Sequence, residues 1–174
     1  MYAIVKNGQI LNMIPNLATA FPGVVIPRVG TSEFATWKSN NSVVEVVYGV
    51  RKDDRFYFNS ENAPTISGNV VQVTYTSTAQ DLDDKTGMNP EDPKTVVMGL
   101  KSQWTSQIKD KAGKMLAETD WMVIRKVERD VAIPAEVVAK RAAIVAECNR
   151  LETAIAAAAD VDALKAVVDG QNWE

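Results

Sequence analysis

The chain of 174 residues contains no histidine. Histidine is the side chain whose ordinary pKa lies nearest neutrality, and it is the commonest metal ligand. Its absence removes Ser-His-Asp and Cys-His chemistry and the usual zinc sites. Cysteine is almost as scarce: Cys148 stands alone, so no disulfide can close within the chain. It falls on the apolar side of a predicted helix and reads as a small core residue in a reducing compartment. No apolar run approaches the ~20 residues of a membrane span, so no membrane partner is expected. The opening MYAIVKNGQI has too short an apolar run for a signal peptide, and Lys6 follows that run. Synthesis in a cytoplasm is therefore expected. Lys and Arg number 19 against 22 Asp and Glu, a formal net charge of −3. With no clustering of cations on one face, nucleic acid is not an expected partner. What remains is an ordinary composition, 46% apolar, enough for one sizeable core or two small ones.

The first half reads as strands and turns. Tyr2-Ala3-Ile4-Val5 and Ile10-Leu11-Asn12-Met13 flank Asn7-Gly8. An Asn-Gly pair between apolar runs signals a hairpin, because both central turn residues take positive φ. Strands are expected at 2–6 and 9–14. Pro15, Pro22 and Pro27 then keep the chain irregular. Residues 33–39 suit a short helix capped by Thr31 or Ser32, with Phe34 and Trp37 facing a core together. The β-branched run 42–48 reads as a strand. Arg51–Asp54 is a charged turn, and 55–59 a strand with Phe56 and Phe58 on one face and Tyr57 on the other. Thr65-Ile66, a turn at Ser67-Gly68-Asn69 and the run 70–76 make a second hairpin. Val71, Val73 and Tyr75 share one face there, which suggests a sheet with one buried and one wet face.

Residues 80–93 are polar, hold two prolines and a glycine, and show no apolar period. They read as a solvated linker; their acids lack the spacing of a calcium loop. Beyond them Val97, Leu100, Trp104, Ile108, Ala112 and Met115 recur at helical spacing over 94–116. Thr119 or Asp120 suits the cap of a second helix over 121–127. Pro134 suits a first helical position, opening a long helix to about residue 158. On it Val137, Arg141, Ile144, Cys148, Leu151 and Ile155 form a seam that Arg141 interrupts. Asp160 caps a last helix that Gly170 ends. The expected fold class is α+β: a β-rich N-terminal module over 1–79, a linker over 80–95, and an α-helical hairpin or small bundle over 96–174.

No residue set qualifies as catalytic, cofactor-binding or metal-binding. Adjacent Asp53 and Asp54 would point to opposite faces of a strand, and Glu118 and Asp120 suit a helix N-terminus, so a carboxylate-dependent glycosidase lacks its pair. A sugar-binding module would need Tyr57, Tyr75 and Trp37 as an exposed platform. The alternative is an interaction protein whose contacts include Trp104, Trp121 and Trp173, since tryptophan is enriched in binding hot spots; the competing reading makes Trp104 and Trp121 the largest members of the helical core.

Several segments carry a resemblance. VVEVVYGVRKDDRFYF, SENAP, VTYTSTAQDLD, LKSQW, MLAETDWMVIRKVERDVAIPAEV and ECNRLETAIAAA are together similar to bacteriophage tail-fibre assembly and tail-associated proteins. The similarity covers roughly 42–83 and 99–173, with 85–98 standing as an insertion. The most specific segment is the fifth, residues 115–137, where Thr-Asp-Trp precedes one helix and Ile-Pro-Ala the next. The resemblance implies a protein that binds a tail fibre or baseplate protein, as a virion structural adaptor or as a fibre-assembly chaperone. A homo-oligomer is also open. The implied location is the host cytoplasm during assembly, or the virion tail.

Overall fold

A computed structural model describes residues 1–87, 92 and 94–173, and its fold class is α+β. The chain divides into two compact units, one over residues 1–78 and one beginning at Ala79.

The first unit is built on a five-stranded mixed sheet. β1 (Tyr2–Lys6) and β2 (Gln9–Ile14) form the hairpin expected from Asn7-Gly8, both of which have positive φ. α1 (Leu17–Ala20) and α2 (Ser32–Asn40) follow, then β3 (Val43–Tyr48), β4 (Tyr57–Glu61), β5 (Thr65–Ser67), β6 (Val70–Val73) and β7 (Tyr75–Ala79). The sheet order is β2-β1-β3-β6-β5, with β3 and β6 parallel; β4 and β7 pair separately. α1 lies in the stretch expected to be irregular: the Asn16 carboxamide accepts the Ala18 amide at 2.9 Å and starts a single turn. Thr31 caps α2 as expected, its Oγ1 accepting the Phe34 amide at 3.2 Å.

Both faces of the sheet are apolar. Phe34, Val43, Ile14 and Leu17 pack on one side, with Phe34 and Trp37 stacked at 6.1 Å. Ala3, Val46, Val71 and Val73 pack on the other, with Tyr75 against them as its spacing required. The one-sided alternation therefore holds only along β6, where Gln72 is exposed between two buried valines. The strand expected at 55–59 begins two residues later. The Asp53 carboxylate accepts the Arg55 amide, and its carbonyl accepts those of Phe56 and Tyr57, which holds a turn there. In consequence Phe56 and Tyr57 are buried together, while Phe58 is 65% exposed, against the expected alternation.

The second unit is helical: α3 (Leu100–Ala117), α4 (Asp120–Arg129), α5 (Ala135–Ala157) and α6 (Val161–Asp169), preceded by a short pair, β8 (Lys85–Thr86) with β9 (Val96–Val97). Lys109 pairs with Glu152 and the Leu116 carbonyl with Arg141, so α3 and α5 run antiparallel as a hairpin. Leu100, Ile108, Ala112, Ile144, Cys148, Leu151 and Ile155 are buried in this unit, and α6 contributes Val161, Leu164 and Val168. Asp160 caps α6 through the Ala163 amide at 2.7 Å. Pro134 occupies the cap of α5 rather than its first turn.

The segment read as a linker carries order of its own. Residues 88–91 and 93, with Pro90, Glu91 and Pro93, lie outside the described residues. Around them, the Asp81 and Leu82 carbonyls accept the first amides of α3, and the Asp84 carboxylate accepts the Gly99 amide at 2.8 Å. These bonds satisfy donors that every helix N-terminus leaves free. They also end the helical stripe: Val97 lies on β9 instead of α3, and the helix starts six residues later than expected. The approach is so close that a Cβ on Gly99 would sit 2.4 Å from the Asp83 carbonyl carbon.

Gly99 and Gly113 thus give opposite expectations. Gly99→Ala should lower stability by about 1–3 kcal/mol through overpacking against backbone. Gly113→Ala, in an open helix interior, should raise it by about 0.8–1 kcal/mol. Urea unfolding midpoints of the two variants check both signs.

Candidate interaction surface

Arg141 explains its own intrusion into the α5 seam. Its Nη1 donates to the Leu116 carbonyl and to Thr119 Oγ1, both at 2.7 Å, and its Nη2 pairs with Asp120 at 2.8 Å. One guanidinium therefore satisfies the C-terminus of α3, holds the turn and grips the first residue of α4. Thr119 sits at the N-cap position of α4 but does not cap it, because its hydroxyl accepts from Arg141 and donates to the Leu116 carbonyl.

Beyond that grip no residue of α4 is fully buried, and Met122, Val123 and Arg125 are half-buried. Trp121 is 52% exposed, Ile124 56% and Val127 81%. They recur every third residue and so share a helix face. Arg125 lies over the Trp121 ring at 4.9 Å from its centroid, with its Nε buried and without a hydrogen-bond partner. α4 ends at Asp130, whose positive φ turns the chain into the extended stretch before α5.

The three candidate tryptophans occupy different settings. Trp121 lies on the exposed face of α4. Trp104 is half-buried on α3. Trp173 docks: Lys111 of α3 sits over its ring at 5.0 Å, and its indole Nε1–H donates to Gln171 Oε1 at 2.8 Å. The adjoining Asn172 amide donates to Glu147 on α5. The fourth residue of that tail, Glu174, lies outside the described residues. Ile124 and Val127 were not singled out from sequence; their three-residue spacing from Trp121 was the available signal.

The other candidate groups are engaged in structure. Asp53 pairs with Arg55, and Asp54 with Arg51 and Asn59. Tyr57 is 6% exposed with Lys52 over its ring, so it offers no platform beside Tyr75. An open groove of about 670 Å³ is lined by Asp83, Asp84, Lys101, Ser102 and Lys109 among others. There Lys101 pairs with Asp83, Lys109 with Glu152, and hydrogen bonds from Ser102 and the Gly99 amide hold Asp84 below the usual carboxylate range. Glu33, Glu147 and Glu152 are lowered as well, Glu33 first by a backbone hydrogen bond, Glu147 by Arg150 and Glu152 by Lys109. Each is held as an anion, the reverse of what a general acid requires. Burial pushes the Cys148 thiol up, helped by its bond to Glu152. Among the described residues no cluster of three or more His, Cys, Asp or Glu is placed to hold a metal, and no helix is long and apolar enough to cross a membrane. No protein-family model, curated protein or solved structure matches the chain.

Arg141→Met keeps the apolar stem and strips the Leu116 carbonyl and Thr119 of their charged donor. A loss of about 1.5–3 kcal/mol is expected. Trp121→Ala, on an exposed face, should change stability by less than about 0.5 kcal/mol. Thermal unfolding of both variants separates a structural arginine from a surface tryptophan.

Proposed function

We propose that this chain is a bacteriophage tail protein without catalytic activity, which binds the tail fibre as a virion structural adaptor or a fibre-assembly chaperone. The observation that carries the reading is the exposed Trp121, Ile124 and Val127 face of α4, a helix with no buried residue. An apolar face held in water is favoured only where something else covers it. That face lies inside residues 115–137, the segment with the most specific resemblance to fibre-assembly proteins. The engaged carboxylates and paired groove charges support a binding role over a glycosidase, and the burial of Tyr57 weighs against the sugar platform.

Mass spectrometry of purified infectious virions and of infected-cell lysate distinguishes the two forms of the role. A fixed copy number in virions, in step with the tail symmetry, is the result expected of an adaptor. Absence from virions with fibre-bound protein in the lysate is the result expected of a chaperone. Absence from both contradicts the reading.

A further inference from the structure

An Asn or Asp that precedes glycine can close a five-membered ring onto its own backbone, because the next residue has no Cβ to hinder the approach. Two such pairs occur in the chain, Asn7-Gly8 and Asp169-Gly170. The fold treats them differently. The Gly170 amide donates to the Ala166 carbonyl at 3.0 Å as α6 ends, and the Asp169 carboxylate pairs with Lys165. The attacking and the attacked group are both engaged there. At the tip of the β1–β2 hairpin neither is. Asn7 and Gly8 are exposed, and neither the Asn7 carboxamide nor the Gly8 amide has a hydrogen-bond partner among the described residues. Nothing lies within 4 Å of where a Cβ on Gly8 would sit, so the turn can swing without meeting the rest of the fold. Elsewhere the carboxamides of Asn16, Asn41, Asn59 and Asn62 are held by hydrogen bonds.

We infer that Asn7 is a site of covalent modification, where the chain forms a succinimide unaided and water opens it to aspartate and isoaspartate. Asparagine is a thermolabile residue for this reason. The Gly8 backbone nitrogen attacks the side-chain carbonyl carbon of Asn7. A new C–N bond forms, the bond to the carboxamide nitrogen breaks, and ammonia leaves with the proton that Gly8 gives up. Water then opens the ring. Cleavage of the new bond gives aspartate. Cleavage of the original peptide bond gives isoaspartate, in which the main chain runs through the side-chain carbon.

The products act differently on the hairpin. Asn7 and Gly8 have φ of 53° and 74°. Aspartate tolerates positive φ as asparagine does, so it keeps the turn and adds a negative charge. Isoaspartate lengthens the backbone of a two-residue loop, and loop length fixes the register of the strands. The pairs beside the turn, Lys6 with Gln9 and Val5 with Ile10, depend on that register. Beyond them Leu11 is already unpaired, at a shift in register. Ile4 with Asn12, Ala3 with Met13 and Tyr2 with Ile14 follow on its far side, where Ala3 and Ile14 are buried. A bulge absorbs an offset between strands, so the disturbance ends at Leu11.

The test ages the full chain in neutral buffer, folded and in urea, and maps its peptides by mass spectrometry with electron-transfer fragmentation, which separates isoaspartate from aspartate. In the folded chain Asn7 should convert before every other asparagine and give both products, while Asp169 should isomerise only in urea. Asn7→Gly keeps a turn of the same type and should lose the modification at this site altogether. By hydrogen exchange, a fraction of the aged chain equal to its isoaspartate content should lose protection over residues 5–10 and keep it over 12–14. Asn7→Asp should keep both. An Asn7 that persists while other asparagines convert, conversion to aspartate alone, or equal isomerisation of Asp169 in folded and unfolded chain would overturn the inference. So would isoaspartate that leaves residues 5–10 protected or that frees 12–14 as well.

Discussion

A single guanidinium sets the form of the helical unit. The α3–α4 turn leaves carbonyls without helical partners, and a helix end packed against a neighbour cannot leave them all to water. Arg141, reaching across from α5, donates to the Leu116 carbonyl and Thr119 and pairs with Asp120. It thereby fastens the C-terminus of α3 to α5 and fixes where α4 begins. A leucine there would continue the apolar seam and lose all three contacts. The neighbouring seam positions, Ile144, Cys148, Leu151 and Ile155, supply the burial that tolerates one polar intrusion.

From that grip follows the exposure of α4. It is held at its first residue, has no fully buried residue, and turns away at Asp130. Trp121, Ile124 and Val127 therefore face outward, with Arg125 over the Trp121 ring, while Met122 and Val123 are half-buried. The opposite end of α3 is governed by a second constraint. Asp81, Leu82 and Asp84 engage its first amides, and the chain passes so close that only glycine is accommodated at Gly99. The hairpin is thus tied at both ends by polar contacts and filled between them by apolar ones.

Much of this was legible because local chemistry and periodicity agree. Asn7-Gly8 dictates the first hairpin, Thr31 and Asp160 cap their helices, and the α5 seam predicts its buried residues. What escaped depends on contacts distant in sequence or on a competing local bond. Arg141 reads as a flaw in a seam until Leu116 and Asp120 are seen beside it. Val97 fits the stripe of α3 but is taken by β9, once Asp84 and its neighbours have closed the helix start. Phe56 belongs by alternation with Phe58, yet the Asp53 turn places it with Tyr57 instead. The candidate surface was half legible: Trp121 stood out by residue type, but spacing alone cannot tell a face that meets the core from one that meets solvent.

The most direct test of the proposed tail-fibre role is hydrogen-exchange mass spectrometry of the full chain, alone and mixed with a bacteriophage tail-fibre subunit. The account predicts that the subunit slows exchange across residues 119–131, with little change in β1 to β7. Protection confined to the sheet, or a subunit that leaves α4 exchanging as it does alone, would contradict it.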